Sequence, residues 1–374
     1  MFQPKTLAQI KADMIERAGP QKHPMEGTQL EDVRRACNRL QSLDGDHWGK
    51  VWSEIAQPYA EAGEREERSG NRAEAERNYF LAYNYFRLGR FAVPNAPEKK
   101  AAHRASVENF VKASRYFDCP VETVSIPFAG RDGEGSEIPV YLRKPEGRVR
   151  PPVLISHGGV DSFKEEAASR ASPYLARGMA VLAMDMPGTG QCPILGNQSP
   201  ERLYDAVISY VQSRKDLDGS RIGLQGRSFG GYWATRIAHA EPTRLAAAVC
   251  WGGGAHYGFQ VDWQPKCRYV PLHLGNDDLV VTRAHAFGIH NYEEWLRFVP
   301  SLSLLDMGVL DKPCAPLLVV NGKNDLNWPL EDIYILLEHG SPKTVRLFPG
   351  GHMGHTPQTI PTVVDWLAGR LNAK

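Results

Sequence analysis

The sequence predicts an α/β protein whose mostly parallel sheet follows a separate helical region. Through about the first 117 residues, apolar residues recur at helical spacing and strand-like stretches are absent. From Cys119 onward, short apolar runs alternate with amphipathic helical segments. Because such alternation is typical of parallel sheets covered by helices on both faces, we expect a doubly wound sheet. The change in pattern predicts a helical cap domain over residues 1–118 and an α/β domain over residues 119–374.

The helical region shows helix-like apolar spacing in a series of segments, namely residues 6–18, 29–40, 47–67, 72–87 and 99–116. The stretch 73–86 is rich in aromatic residues, and it has no second copy at a fixed period. We therefore interpret it as an amphipathic helix that packs its aromatic face on a neighbour, and not as part of a repeat array.

The α/β region begins with two predicted strands, 121–127 and 137–142, and the glycine-rich turn between them predicts an antiparallel edge. The later predicted strands are 153–156, 180–184, 221–225, 245–251, 317–320 and 344–348, and the predicted helices are 164–177, 200–214, 229–239, 330–338 and 359–371. Residues 255–312 interrupt this alternation with a segment rich in aromatic side chains. Such an insertion would lie at the carboxyl edge of the sheet, either as a lid or as a surface excursion with its own small core.

The bulk composition argues against several classes of function. The chain has 374 residues, of which 42% are hydrophobic and 23% charged, with a formal net charge of +1. A charge so close to zero argues against a nucleic-acid or membrane-surface partner. No apolar run approaches the roughly 20 residues of a membrane span, and the first residues lack the layout of a signal peptide. We therefore expect a cytoplasmic protein.

The sequence carries no pattern for a metal or a cofactor. The six cysteines are scattered without a Cys-x-x-Cys pair, so we expect free thiols. The turn Gly188-Thr-Gly190 does not continue as a dinucleotide-binding motif, and phosphate-loop and His-Glu-x-x-His patterns are absent from the sequence. We expect chemistry that uses neither group.

The motif Gly226-Arg-Ser-Phe-Gly230 lies between a strand-like run and a helix-like run. A Gly-x-Ser-x-Gly sequence at such a junction is typical of a nucleophile elbow, in which a tight turn lifts the serine clear of the sheet. The turn strains the backbone, so the positions two residues before and two residues after the serine must be nearly without side chains. The pattern predicts that Ser228 is the nucleophile of a hydrolase or acyl-transfer enzyme. The alternative is a glycine-rich turn with an incidental serine.

An acid and a base follow in the order that elbow-type hydrolases use. A serine hydroxyl needs an imidazole to accept its proton, and the imidazole needs a carboxylate to orient it. Asp325 follows the predicted strand 317–320, and His352 follows the predicted strand 344–348. Both side chains should therefore lie at the carboxyl edge of the sheet, where Ser228 should also emerge.

Asp332 and His355 are the alternatives for the acid and the base. Asp332 is expected within the helix that follows, which makes Asp325 the better candidate. The pair Gly350-Gly351 immediately before His352 lets that loop approach the serine closely, and it favours His352 over His355.

The segment Ser156-His-Gly-Gly159 supplies the second half of a predicted oxyanion hole. We expect the backbone N–H groups of Gly159 and Phe229 to stabilise the developing oxyanion, with Val160 as an alternative to Gly159. His157 is interpreted as a residue that braces this loop and not as a second base.

Together, the segments 226–231, 157–165, 185–190 and 350–352 resemble those of the α/β-hydrolase fold. The chain is most similar to the subgroup with a helical N-terminal domain, which includes 2,6-dihydroxypseudooxynicotine hydrolase and fermentation-respiration switch protein-like esterases. This resemblance implies a Ser-His-Asp hydrolase that cleaves an ester or an activated ketone (C–C) bond through an acyl-enzyme. It also implies a homodimer. The aromatic insertion and the helical cap favour a bulky, partly aromatic small-molecule substrate. An acyltransferase on the same triad and a catalytically silent binding protein are the alternatives.

Cleavage of a C–C bond would need polar groups near the leaving side of the substrate, because a carbanion is a poor leaving group. The candidates for substrate contacts are Lys164, Glu165, Trp251, His256 and Tyr257. The sequence alone does not select among them.

Overall fold

The computed structural model describes residues 2–271, 274 and 278–372. These residues divide into two compact units. One unit consists of residues 3–121 with Leu274 and Asp278, and the other of Phe2 with residues 122–271 and 279–372. The division falls close to the predicted boundary between residues 118 and 119.

The first unit is helical, as the apolar spacing predicted. Its helices are α1 (Leu7–Ala18), α2 (Leu30–Arg39), α3 (Gly45–Ser69), α4 (Arg72–Arg90) and α5 (Pro97–Ser114). Thr6 and Gln9 form a capping box at the start of α1, and Gly70 ends α3 in the left-handed conformation. Trp52 and Tyr85 stack in the core between α3 and α4, with ring centroids 6.3 Å apart.

The second unit contains an eight-stranded sheet with the order β1-β2-β4-β3-β5-β6-β7-β8. The strands are β1 (Glu122–Pro127), β2 (Glu137–Arg143), β3 (Pro152–His157), β4 (Ala180–Ala183), β5 (Asp218–Arg227), β6 (Ala247–Trp251), β7 (Leu317–Gly322) and β8 (Lys343–Phe348). Among the described strands, β2 pairs antiparallel with both β1 and β4, whereas β4, β3, β5, β6, β7 and β8 pair with one another in parallel. The predicted α/β fold with an antiparallel edge is confirmed.

Helices cover this sheet in the predicted alternation. They are α6 (Lys164–Ser169), α7 (Ser172–Leu175), α8 (Glu201–Ser213), α9 (Phe229–Ala240), α10 (Gln264–Cys267), α11 (Leu279–His285), α12 (Tyr292–Phe298), α13 (Glu331–Glu338) and α14 (Thr359–Leu371). The single helix predicted over residues 164–177 is wrong, because the segment forms α6 and α7. Pro173 has no backbone N–H to continue a helical ladder, and it lies in the first turn of α7.

The aromatic insertion, residues 255–312, holds α10 to α12 and two short 3₁₀ turns in its described part. Its side chains Phe259, Phe287 and Trp295 are buried in the same core cluster as the sheet residues. Whether the segment acts as a mobile lid stays a prediction. Among the described residues, no helix is both long and apolar enough to cross a bilayer.

Candidate active site

Ser228 occupies the turn between β5 and α9, with φ 55° and ψ −127°. Positive φ is costly for a residue with a side chain, so the surrounding structure must hold it in place. The Ser228 amide donates to the carbonyl of Trp251 over 2.7 Å, and the Gly231 amide donates to the carbonyl of Ser228 over 2.8 Å. A Cβ at Gly226 would lie 1.9 Å from the carbonyl oxygen of Gly230. The tight approach explains why the motif needs glycine there.

The structure brings the predicted nucleophile, base and acid into one hydrogen-bonded chain. His352 Nε2 lies 2.8 Å from Ser228 Oγ, and His352 Nδ1 lies 2.8 Å from Asp325 Oδ2. The side chain of His352 is 10% exposed and that of Asp325 is fully buried. The three residues come from loops after β5, β7 and β8, because parallel strands direct their carboxyl ends to one edge of the sheet.

The carboxylate of Asp325 is held by several donors. Besides the His352 ring, Asn321 Nδ2 donates to Oδ2 over 2.8 Å and the Asn327 amide donates to Oδ1 over 2.7 Å. Burial favours the neutral acid, but the His352 charge and these hydrogen bonds outweigh it and lower the pKa of Asp325. Asp325 is therefore ionised at neutral pH and suited to orient an imidazole.

Asn321, at the carboxyl end of β7, was missed by the sequence reasoning. Its Oδ1 accepts from the amides of Gly322 and Met353, each over 2.9 Å, while its Nδ2 holds Asp325. Because Met353 directly follows His352, one buried amide connects the loops that carry the acid and the base. The sequence did carry a signal for Asn321, because the apolar run Leu317-Leu-Val-Val ends directly in this polar residue.

The two alternative residues lie elsewhere. Asp332 is buried in α13, where its carboxylate accepts from the amides of His256, Tyr257 and Gly258 over 2.8, 2.7 and 3.1 Å. It braces the start of the insertion, and burial raises its pKa. His355 is exposed, and Ser228 pairs with His352.

The backbone of Gly159 passes directly beside the serine. A Cβ at this position would lie 2.9 Å from Ser228 Cβ and 3.2 Å from Ser228 Oγ. Phe229 is the first residue of α9, so its amide has no acceptor within the helix. Gly159, in the loop beside Ser228, and Phe229, at the start of α9, are therefore the two residues whose amides adjoin the serine.

His157 is fully buried at the end of β3. Its Nε2 lies 3.1 Å from the Tyr204 hydroxyl and its Nδ1 lies 3.2 Å from the carbonyl of Gly158. Burial lowers the pKa of His157 to about 4, so the ring is neutral at neutral pH. The contacts fit a residue that braces the glycine loop.

Lys164 lies in a buried ion cluster at the start of α6. Its ammonium contacts Glu165 Oε1 at 2.9 Å, Asp185 Oδ2 at 3.2 Å and Gln191 Oε1 at 2.7 Å. Burial opposes the charge, but the two carboxylates outweigh it and raise the pKa of Lys164. All three ammonium protons have acceptors, so the cluster joins two loops and leaves this ammonium no proton to donate to a substrate. The same interactions hold Glu165, whose Oε1 also accepts from Tyr141.

The other candidates for substrate contacts differ in exposure. Trp251 is fully buried, and its indole Nε1 donates to the carbonyl of Met353 over 2.8 Å. His256 Nδ1 hydrogen bonds with Ser303 Oγ at 2.6 Å. Tyr257, by contrast, is 43% exposed. Their contacts with a substrate stay predictions.

An aromatic cluster surrounds the side chain of Phe229. Phe259, Phe287 and Trp328 lie 6.0, 5.8 and 5.7 Å from it between ring centroids. Buried Arg283 lies over Trp328 at 4.1 Å and donates to the carbonyl of Asn327 over 3.1 Å. The insertion and the loop that carries Asp325 thus pack on the residue that follows the serine.

Within the described ranges, no group of His, Cys, Asp and Glu side chains has the arrangement of a metal site.

The serine elbow on a mostly parallel eight-stranded sheet defines the α/β-hydrolase fold. The chain belongs to the FrsA-like esterase family, whose pattern, described as "Esterase FrsA-like", matches residues 43–332. The resemblance drawn from the sequence is confirmed.

The chain is similar to several named hydrolases. It is 34% identical over 248 residues to "Hydrolase ORFZ" of Pyricularia oryzae, which covers 60% of this chain and 56% of the relative. It is 30% identical over 233 residues to "2,6-dihydropseudooxynicotine hydrolase" of Paenarthrobacter nicotinovorans, which covers 61% of this chain and 60% of the relative. The matches thus span somewhat more than half of these curated relatives.

Two solved structures share the fold over nearly the whole chain. The crystal structure of the 2,6-dihydroxy-pseudo-oxynicotine hydrolase has a TM-score of 0.77 at 24% identity and covers 97% of this chain and 95% of its own. The structure named AbyA5 wildtype has a TM-score of 0.73 at 21% identity and covers 98% of this chain and 95% of its own.

Proposed function

We propose that this protein is a serine hydrolase that cleaves an acyl bond through a covalent acyl-enzyme on Ser228. The observation that carries this proposal is the chain of two 2.8 Å hydrogen bonds from Ser228 through His352 to Asp325. The family and the hydrolase names of the relatives support it.

The proposed reaction uses these residues in two halves. Ser228 Oγ attacks the substrate carbonyl while His352 Nε2 takes its proton, and Asp325 stabilises the imidazolium that results. The amides of Gly159 and Phe229 donate to the oxyanion. His352 then gives the proton to the leaving group, which completes the acyl-enzyme. Water, deprotonated by His352, releases the acid and regenerates Ser228.

The proposed substrate is a bulky, partly aromatic small molecule with an ester or an activated ketone. The aromatic insertion, residues 255–312, and the helical N-terminal region support this size, because a small substrate would not need them. In an ester the leaving group departs as an alcohol. In a C–C substrate it departs as a carbanion, which a second carbonyl or an electron-poor ring must stabilise.

A fluorophosphonate probe tests the nucleophile without knowledge of the substrate. We expect one equivalent to label wild type, no labelling of Ser228→Ala, and strongly slowed labelling of His352→Ala. Ser213→Ala is the matched control, because Ser213 is an exposed serine of α8 in the same unit. Full labelling of Ser228→Ala, or none of wild type, would refute the proposal and favour a silent binding protein.

A substrate panel then separates the possible reactions. Aryl esters and acyl-phenol ketones of equal size are compared by kcat/KM, and competing alcohols and amines are added to detect acyl transfer. Release of free acid in the presence of acceptors supports hydrolysis, whereas transfer to the acceptor as the main product identifies an acyltransferase. The homodimer stays a prediction that sedimentation velocity checks directly.

A further inference from the structure

A cavity lies within the second unit, on the side of β3 and β5 covered by α6, α7 and α14. Its volume is about 150 Å³, which is many times the roughly 10–15 Å³ that one enclosed water needs. Ser156 of β3, Gln225 of β5 and Tyr174 of α7 line its interior and are each at least nine-tenths buried. Ile360, at the start of α14, lies at its exposed rim and is 45% exposed.

The charged groups that line this cavity are both positive. They are Arg170 and Arg227, and no acidic residue is among the lining side chains. Both guanidinium groups lie near enough to the Tyr174 hydroxyl to affect its pKa. Burial raises the pKa of Tyr174, and the charges of Arg227 and Arg170 lower it. The Tyr174 hydroxyl itself donates to Gln225 Oε1 over 2.8 Å. The cavity therefore places two guanidinium groups beside a fixed set of buried polar groups.

The shape and lining of the cavity identify the class of ligand. Guanidinium groups bind carboxylates and phosphates with paired, planar hydrogen bonds. The remaining wall is apolar, because it includes the Tyr174 ring, Pro173 and Ile360. An inorganic anion would leave that wall without a partner, whereas an organic acid covers it with its apolar part.

The cavity is connected to both loops of the candidate active site. Arg170 Nη1 donates to Ser162 Oγ over 3.3 Å, in the loop that also carries Gly159. Arg227 immediately precedes Ser228, and its guanidinium lies 4.3 Å from the centroid of the Trp251 ring. A ligand on these arginines would therefore contact groups that support the site without entering it.

We propose that this cavity is a binding site for a small organic carboxylate, held by Arg170 and Arg227 and separate from the site around Ser228. Its occupancy stabilises the folded protein by mass action.

Calorimetric titration with benzoate, benzamide and inorganic phosphate tests the site. Benzamide has the shape of benzoate without the charge, and phosphate has the charge without the ring. We expect one benzoate per chain, binding at least about tenfold more tightly than either analogue, and a higher Tm in benzoate. Equal binding of benzamide, or no binding of benzoate, overturns the proposal. Tighter binding of phosphate overturns the assignment to an organic acid.

Charge variants locate the bound molecule. Arg170→Gln should weaken benzoate binding about tenfold or more, whereas Arg346→Gln, an exposed arginine of β8, should leave it unchanged. Ile360→Glu adds a negative charge at the rim and should weaken binding severalfold relative to Ile360→Gln. Both rim variants change a 45% exposed residue in the first turn of α14, so we expect the folded protein to be retained. Unaltered affinity in Arg170→Gln and Ile360→Glu overturns the proposal.

A final titration separates this cavity from the proposed catalytic site, since carboxylates are also products of ester hydrolysis. Protein whose Ser228 carries the phosphonyl group of the probe should still bind benzoate with the affinity of unlabelled protein. Loss of binding on labelling would place the benzoate at Ser228 and overturn the proposal. If the probe does not react, the proposed function fails by itself, and the charge variants still decide the cavity.

Discussion

Substitution of Gly159 by alanine tests how closely the glycine loop approaches the serine. The added Cβ would lie 2.9 Å from Ser228 Cβ and 3.2 Å from both Ser228 Oγ and the carbonyl oxygen of Arg227. Carbon atoms in contact are normally about 3.5–4.0 Å apart, so either the loop or the serine must move by roughly 0.5–1 Å. A shift of this size also moves the Gly159 amide, which is the proposed oxyanion donor.

The expected effect of Gly159→Ala is on turnover more than on stability. A misplacement of about 1 Å costs roughly 10²-fold in rate, and loss of an oxyanion donor costs roughly 10²–10³-fold. We therefore expect kcat on an aryl ester to fall by about 10²–10³-fold with little change in KM. The crowding should cost roughly 1–3 kcal/mol of unfolding free energy.

Initial rates of ester hydrolysis measure kcat and KM, and urea denaturation measures the free energy of unfolding. Gly369→Ala is the matched control, because a Cβ there meets nothing within 4 Å and the residue lies in α14. The control should keep full activity and gain slightly in stability, since alanine is the better helix former. Wild-type kcat in a folded Gly159→Ala protein would refute the proposed position of the oxyanion.

Three further predictions follow from the buried polar groups. Asp325→Asn should lower kcat by about 10⁴-fold. The pKa of Asp325 in the folded protein lies below its unfolded value of about 3.9. In thermal melts, wild type should therefore lose its stability advantage over this variant as the pH falls through that lower pKa. Asn321→Leu should lower kcat about 10-fold or more at nearly unchanged KM, because Asn321 positions Asp325 and the loop of His352. Partial recovery of kcat in Asn321→Gln would distinguish this positioning role from a general loss of stability. Lys164→Met should cost about 3–5 kcal/mol in urea denaturation, because two carboxylates stay buried without their cation, and a combined Lys164→Met/Asp185→Asn/Glu165→Gln protein should recover part of that loss.

The fold and the grouping of Ser228, His352 and Asp325 were predictable because local patterns encode them. The Gly-x-Ser-x-Gly motif requires a close backbone contact. A Cβ added at Gly226 would lie 1.9 Å from the carbonyl oxygen of Gly230, so a side chain is excluded there. Alternating strands also fix which loops share an edge, so Asp325 and His352 were expected beside Ser228.

The remaining features depend on contacts between distant segments, which no local pattern shows. Asn321 joins two loops only because β7 and β8 pair in the register Asn321 with Leu347. Lys164 was considered for the substrate because it is charged and follows a glycine loop, but its acceptors at Asp185 and Gln191 come from another turn. Pro173 indicated a break between α6 and α7. The prediction of one helix followed the apolar spacing on both sides of Pro173 instead.

The position of His352 after the last strand has a consequence for biosynthesis. Ser228 and its elbow are synthesised well before β8, whose pairing with β7 brings the imidazole to the serine. On the proposed mechanism, a nascent chain that has emerged only as far as α13 therefore holds an unactivated alcohol. We expect Ser228 to react with the fluorophosphonate probe only after β8 has paired with β7, so that labelling during translation or refolding would report completion of the sheet.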